Sequence, residues 1–103
     1  MKVVWTDPAE EDREQIFLFI AQDSPQAARE IDDLFTAAAD SLATFPTRAK
    51  VGRVSGAREL VVHRNYIFVY GIDENADTVY IKAVLHTSRL WPPDANIAPK
   101  NRN

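Results

Sequence analysis

The sequence predicts an α+β fold in which an N-terminal strand precedes an antiparallel helical hairpin, and the hairpin packs on one face of a curved antiparallel sheet. Three observations support this prediction. Residues 2–6 form a short β-favouring run, residues 7–46 repeat their apolar positions with helical spacing, and from Thr47 onward the spacing changes to two. The predicted order is β-α-α-β-β-β, and residues 51–56 form a short additional edge segment.

The first helix is predicted from the start signal in the sequence DPAE. Asp7 is the expected N-cap, Pro8 suits the first helical position, and Glu10 stands where a capping-box carboxylate would. The helix should end near Asp23. Its buried stripe is predicted to contain Ala9, Ile16, Phe17 and Ile20.

The second helix shows the clearest pattern in the chain. Ser24 and Pro25 repeat the start signal, apolar residues then recur three and four positions apart, and Phe45 and Pro46 close the helix. Only a couple of residues separate the two helices, so an antiparallel hairpin is expected.

Three further strands are predicted at residues 58–63, 66–72 and about 78–86. Arg64 and Asn65 form the tight turn between the first two, and Asn65 suits a turn because asparagine tolerates a left-handed backbone. Both alternating sets of residues 66–72 are apolar, so both faces of this strand need cover. The helices cover one face. We expect the second face to await a partner, with cover by a loop and the tail as the alternative.

Length and composition predict one folded domain. The chain has 103 residues, of which 46% are hydrophobic and 26% charged, as in ordinary folded proteins. The predicted domain comprises residues 1–92, and residues 93–103, which contain prolines and few apolar residues, are expected to be extended or disordered. No run of about 18 apolar residues occurs, so we predict a cytoplasmic protein without membrane contact.

Several kinds of site are absent from the sequence. Cysteine is missing and only two histidines are present, so disulfides, thiolate sites and metal-ligand motifs such as HExxH are excluded. Neither a phosphate-binding loop nor a dinucleotide fingerprint occurs. We therefore predict no metal and no cofactor.

Charge is distributed unevenly along the chain. Residues 1–47 contain 10 acidic and 3 basic residues, a balance of −7, whereas residues 48–103 contain 5 acidic and 9 basic residues, a balance of +4. Such a molecule can present a basic face to an anionic partner. Acidic helix surfaces without functional meaning are the alternative explanation.

The residue types that remain suit metal-free RNA cleavage, which needs a base, an acid and cations around the phosphate. Each candidate also has a structural explanation, as a turn residue, a strand end or a solvated strand position. The candidates, besides the tyrosines, are Arg58, His63, Arg64, Lys82, His86 and Arg89.

Four segments together resemble the toxins of the RelE/ParE superfamily of type II toxin–antitoxin modules. They are VVWTDPAEEDREQIFLFIAQDSPQAA, LATFP, GRVSGARELVVHRNYIFVYGI and KAVLHTSRLWP, in that order. The resemblance covers residues 2–92 and rests on the joint pattern rather than on any single piece. It implies a helical hairpin packed on a curved antiparallel sheet, in agreement with the order of elements above.

The resemblance also offers two kinds of activity. RelE-like members are ribosome-dependent ribonucleases that cleave mRNA, whereas ParE-like members poison DNA gyrase. The ribonuclease branch has an arginine where this chain has Ile67, and its C-terminal catalytic tyrosine has no match because Trp91 and two prolines follow Arg89. An apolar Ile67 cannot stabilise a transition-state phosphate. These departures favour a ParE-like toxin without catalysis. The alternative is an mRNA interferase that uses Arg58, His63, His86 and Arg89.

The resemblance implies a set of partners as well. The toxin inhibits growth, as in plasmid stabilisation, and a cognate antitoxin covers and neutralises it; DNA gyrase is the favoured target, with the ribosome and mRNA as the alternative. Operator DNA is expected to bind only through the antitoxin. A degenerate member that binds its antitoxin but poisons nothing is a third possibility. The predicted antitoxin or target contacts are Arg58, Ile67, Val69, Lys82, Arg89 and Trp91.

Overall fold

The computed structural model describes residues 1–52 and 54–88 and confirms the α+β fold. The elements are β1 (Lys2–Trp5), α1 (Asp7–Ala21), α2 (Pro25–Thr44), β2 (Lys50–Val51), β3 (Arg58–His63), β4 (Tyr66–Asp73) and β5 (Thr78–His86). The five strands lie in one sheet in the order β1-β5-β4-β3-β2. An edge strand is present, but the predicted segment at residues 51–56 overlaps it only at Val51, because residues 54–56 form a bend and a turn. The predicted tail, residues 93–103, lies outside the described residues.

The sheet is mixed rather than wholly antiparallel, because β1 runs parallel to β5. The other three pairings, β2 with β3, β3 with β4, and β4 with β5, are antiparallel as predicted. The two hairpins between β3 and β5 require antiparallel neighbours, whereas β1 reaches its place beside β5 from the other end of the chain. The sequence pattern therefore determined local pairings but not the direction of this edge strand.

The N-cap of α1 is Thr6 and not Asp7, so the predicted cap is wrong by one residue. Thr6 Oγ1 accepts a hydrogen bond from the Ala9 N–H at 3.4 Å and donates one to the carbonyl of Ile81 in β5 at 2.8 Å. This second bond fixes Thr6 against the sheet and leaves Asp7 in the first helical turn, where its charge favours the helix N-terminus.

The two helices are fastened to each other by Arg13. Its guanidinium donates to Asp32 Oδ1 at 2.6 Å, to the Asp32 carbonyl at 3.1 Å and to Thr36 Oγ1 at 2.6 Å, and it lies 4.6 Å from the centre of the Trp5 ring. The N-cap of α2 is Ser24, as predicted. The antiparallel hairpin is thus held by charge-assisted bonds and by a cation–π contact with β1.

The main core lies between the helical hairpin and the sheet. Phe35 of α2 packs edge-on against Tyr66 and is tilted against Phe68, and Trp5 of β1 meets Phe68 edge-on. Burial of this apolar surface is the main source of stability. The buried members of the cluster are Ala9, Phe35, Ala39, Leu42, Ala49, Leu60, Tyr66, Phe68, Tyr70, Val79, Ile81 and Val84.

The second face of the sheet carries a smaller cluster formed by the chain itself. Ala57, Val69 and Ala83 are buried there, with Val54 and Leu85 packed against them. The segment that carries Val54 and Ala57 therefore covers the centre of this face. Val69 is fully buried. At this position the sheet is therefore covered by a loop of the chain itself, which was the alternative to the expected partner.

Candidate functional site

Two tyrosines of β4 mark two cross-strand rows on the helix-covered face. In the middle of β4, Tyr70 pairs with Arg58, the first residue of β3. At the start of β4, Tyr66 pairs with His63 of β3 and His86 of β5. Residues directly opposite in antiparallel strands share a face. We call Arg58 and Tyr70 the closed row, and His63, Tyr66 and His86 the open row.

The polar atoms of the closed row are engaged by the loop after α2. The Tyr70 hydroxyl donates to the Pro46 carbonyl at 2.7 Å, and Arg58 Nη1 donates to the Ala49 carbonyl at 2.7 Å. Burial raises the pKa of the Tyr70 phenol, and a hydrogen bond with the Ala49 backbone and the charges of Arg58 and Arg48 partly oppose this rise. These residues hold the loop on the sheet.

The open row is a cluster of three rings. The ring centre of Tyr66 lies 5.9 Å from that of His63, which is tilted against it, and 5.6 Å from that of His86, which meets it edge-on. His63 Nδ1 accepts from the Asn65 N–H at 3.0 Å, and His86 Nδ1 accepts from the Ser88 N–H at 3.2 Å and lies 3.0 Å from Ser88 Oγ. A neutral imidazole that accepts at Nδ1 carries its proton on Nε2, and no partner within the described residues binds either Nε2 atom.

A groove of about 350 Å³ opens beside the open row, between α1 and β5. Asp12 Oδ2 accepts from the Val84 N–H at 3.0 Å and so fixes α1 along β5. The ring of Phe19 is 70% exposed at the groove. The lining is mainly apolar, with three polar residues, and consists of Asp12, Gln15, Ile16, Phe19, Tyr66, Val84, Leu85 and His86.

The predicted catalytic residues are only partly brought together. His63 and His86 flank the same tyrosine, but Arg58 lies five residues from His63 along β3, a separation of about 16 Å at the usual rise of a strand. Arg89, the fourth member of the predicted set, lies outside the described residues, as does Trp91. The described residues therefore place one predicted cation away from both histidines.

The predicted contact residues differ in exposure. Ile67 is 8% exposed and Val69 is fully buried, whereas Lys82 is exposed. Lys82 falls where the pairing of β4 and β5 shifts register, and its side chain lies alongside Gly71, where an added Cβ would come within 3.1 Å of Lys82 Cε. Contact of these residues with a partner stays a prediction, and at Val69 it would require the covering segment to move.

Sequence reasoning missed two exposed apolar residues of α1. Leu18 is 52% exposed and Phe19 is 70% exposed. Both fall outside the predicted buried stripe of this helix, which includes Ile16, Phe17 and Ile20. Large apolar residues beside such a stripe are a signal for a surface contact, and this signal was present in the sequence.

Two further tests concern metals and membranes. Within residues 1–52 and 54–88, no group of three or more histidine, aspartate or glutamate side chains is placed to hold a metal ion. In that same part of the chain, the helices are too short or too polar to cross a bilayer.

Comparison with known proteins identifies relatives over nearly the whole chain. A family model described as the ParE toxin of type II toxin–antitoxin system, parDE, matches residues 3–91. Toxin RelE2 of Caulobacter vibrioides is 37% identical over 89 residues, which cover 86% of this chain and 98% of the relative. A Sinorhizobium fredii protein named toxin Y4kP is 32% identical over 92 residues, which cover 88% of this chain and 93% of the relative.

Solved structures show the same fold. A chain of the chromosomal ParDE system of P. aeruginosa matches with a TM-score of 0.72 at 17% identity, over 84% of this chain and 95% of its own length. A chain of the RelBE2 toxin–antitoxin complex of Mycobacterium tuberculosis matches with a TM-score of 0.59 at 24% identity, over 82% and 95%. The chain therefore belongs to the ParE toxin family within the RelE/ParE superfamily, and it is the toxin of a type II toxin–antitoxin system.

Proposed function

We propose that this toxin arrests bacterial growth by binding DNA gyrase in the cytoplasm, through protein contact and without catalysis of its own, and that a cognate antitoxin neutralises it. The observation that carries the proposal is the position of Arg58. Its guanidinium is bound to the Ala49 carbonyl at the opposite end of β3 from His63. RNA cleavage requires the base, the acid and the cations to reach one phosphate group, and Arg58 is too far from the histidines to share it.

The residue that follows Tyr66 in β4 supports the same conclusion. The resemblance to ribonucleases of the superfamily calls for an arginine where this chain has Ile67, and that side chain is buried and apolar. An interior alkyl group offers no charge to a developing phosphorane. The family model that matches is described as the ParE toxin of a parDE system, which supports a ParE-like activity.

A ribosome-dependent mRNA interferase is the second candidate, and the open row favours it. Two imidazoles with Nε2 available flank Tyr66 at a groove, and such groups can transfer protons. One relative is named toxin RelE2. In this alternative, His63 and His86 would exchange protons with RNA held in the ribosome.

The two functions differ in which synthesis stops first. We would induce the toxin without its antitoxin and follow DNA, RNA and protein synthesis separately by pulse labelling. A gyrase poison should stop replication first and induce the DNA-damage response, and purified toxin should inhibit supercoiling by gyrase. An early stop in translation with fragmented mRNA would contradict the proposal, and a lack of growth arrest would indicate a degenerate toxin.

A double variant gives the matching test at the residues themselves. We expect His63→Gln with His86→Gln to arrest growth as well as the unmodified toxin does, because neither imidazole is needed for protein contact of the proposed kind. The circular dichroism spectrum and the cellular level of the variant serve as controls. Complete loss of arrest in a folded and equally abundant variant would favour the nuclease.

A further inference from the structure

The exposed side of α1 combines apolar and acidic residues that the rest of the described chain leaves uncovered. Leu18 and Phe19 expose more than half of their surface. Phe19 borders the groove against β5, and Leu18 borders a second depression that it shares with Phe17 and four charged residues, namely Glu10, Arg13, Glu14 and Asp32. Two neighbouring depressions along one helix, each with a large exposed apolar side chain at its border, form a surface suited to binding an amphipathic segment.

The exposed charged residues of α1 all have the same sign. Glu10, Glu11 and Glu14 are exposed on α1, and none of them forms a salt bridge within the described residues. Glu10 and Glu14 stand four residues apart, a spacing at which like charges destabilise a helix. Arg13, the one cation of the helix, is already bound to Asp32. A basic partner would remove this repulsion.

From this arrangement we propose that the exposed side of α1 with its groove against β5 is a docking surface for an amphipathic segment of the antitoxin, whose apolar side chains contact Phe19 and Leu18 and whose flanking lysines or arginines face Glu11 and Glu14. The proposal rests on the proposed function, in which an antitoxin binds the toxin. It specifies where a segment of the antitoxin binds and which charge that segment carries. It differs from the expectation that the antitoxin presents acidic residues to the basic second half of the chain.

A second copy of the toxin fits this surface less well. Two identical α1 helices facing each other would bring the unpaired glutamates of both chains together, and like charges across an interface oppose association. The solved structures that share this fold include a toxin–antitoxin complex. Repulsion between like charges therefore disfavours a second toxin, and we take the antitoxin as the occupant.

The test uses the toxin purified with the protein that the neighbouring open reading frame encodes, separated and then recombined for titration calorimetry. Phe19→Ala should weaken the complex by about 10-fold to 100-fold, as expected for an aromatic anchor in an interface. Phe45→Ala is the matched control, because Phe45 is 63% exposed at the end of α2. It should change the dissociation constant by less than about twofold.

Charge reversal tests the second half of the proposal. The Glu11→Lys and Glu14→Lys double variant should weaken the complex about 10-fold at low salt, and the difference should shrink as salt screens the charges. Glu30→Lys with Asp40→Lys on the exposed surface of α2 is the control of equal charge change. If the α1 double variant binds more tightly, or if the α1 and α2 double variants have equal effects, then basic residues of the antitoxin do not face Glu11 and Glu14.

Growth assays separate this proposal from the assignment of the target. The Phe19→Ala toxin should still arrest growth but escape neutralisation by the co-expressed antitoxin. If Phe19→Ala abolishes arrest while its fold and antitoxin binding persist, the surface binds the target and the proposal is wrong. The absence of any complex with the neighbouring protein would also overturn it, whatever pulse labelling says about gyrase.

A photo-crosslinking amino acid at position 19 identifies the occupant directly. In the purified complex it should crosslink to an antitoxin peptide that contains apolar residues flanked by lysine or arginine. A crosslink to a second toxin chain, or to an acidic antitoxin peptide, would contradict the proposal.

Discussion

The closed and open rows place the same classes of residue at two positions along β4 with opposite results. Each has a tyrosine of β4 beside a basic or titratable residue of β3. The loop after α2 binds both polar groups of the closed row, whereas the open row borders a groove and, within the described residues, leaves the Nε2 atoms of both imidazoles without a partner. Residue type alone therefore does not mark a site, because what matters is whether the chain already satisfies the polar atoms.

The largest expected difference between the rows is in the stability contributed by the two hydroxyl groups. Tyr70→Phe should lower the free energy of unfolding by about 1–3 kcal/mol, because the Pro46 carbonyl loses its buried donor. Tyr66→Phe should change it by less than about 0.5 kcal/mol, since the Tyr66 hydroxyl forms no hydrogen bond within the described part of the chain. Urea denaturation of the three proteins measures both values.

Equal losses in the free energy of unfolding for Tyr70→Phe and Tyr66→Phe would show that the hydroxyl groups of both rows are hydrogen-bonded in solution. A change in the slope of the unfolding transition would instead indicate an altered unfolded or native state, and would remove the basis for the comparison.

The sequence predicts features that depend on neighbouring residues, but not those that depend on contacts between residues far apart in the chain. The helical hairpin and the strands 58–63 and 66–72 follow from local periodicity and turn residues, and the structure confirms them. The N-cap does not follow, because the bond from Thr6 to Ile81 spans 75 residues. The cover over Val69 likewise depends on how residues 54–57 fold back over the sheet.

The candidate site shows the same limit. The separation of Arg58 from His63 was available from the sequence, since five residues of strand span about 16 Å. The placement of His63 and His86 on either side of Tyr66 was not, because it requires the register of three strands, including shifts between Val61 and His63 and between Val69 and Tyr70. Such irregularities leave no clear mark in a single sequence.

A smaller effect is expected from the basic residues of β3. Arg58→Ala should lower the free energy of unfolding by about 1 kcal/mol, because the half-buried guanidinium loses its bond to the Ala49 carbonyl. His63→Ala should cost about half as much, since the bond from the Asn65 N–H lies at a turn that water can reach. Thermal unfolding followed by circular dichroism compares them, and a greater loss at His63 would contradict the distinction between the rows.

The smallest and most specific difference should appear at alkaline pH. Burial holds the pKa of Tyr70 above its ordinary value of about 10. Above that pH the unfolded chain releases this proton while the folded chain retains it, so stability that is fully present below pH 10 falls as pH rises toward the folded pKa. The informative quantity is the difference in stability between the unmodified toxin and Tyr70→Phe, because it isolates the contribution of this one phenol. The two stability curves, measured by urea denaturation from about pH 8 to 11, should converge as pH rises. Parallel curves would mean that water reaches the Tyr70 phenol, and the closed row would then be open as well.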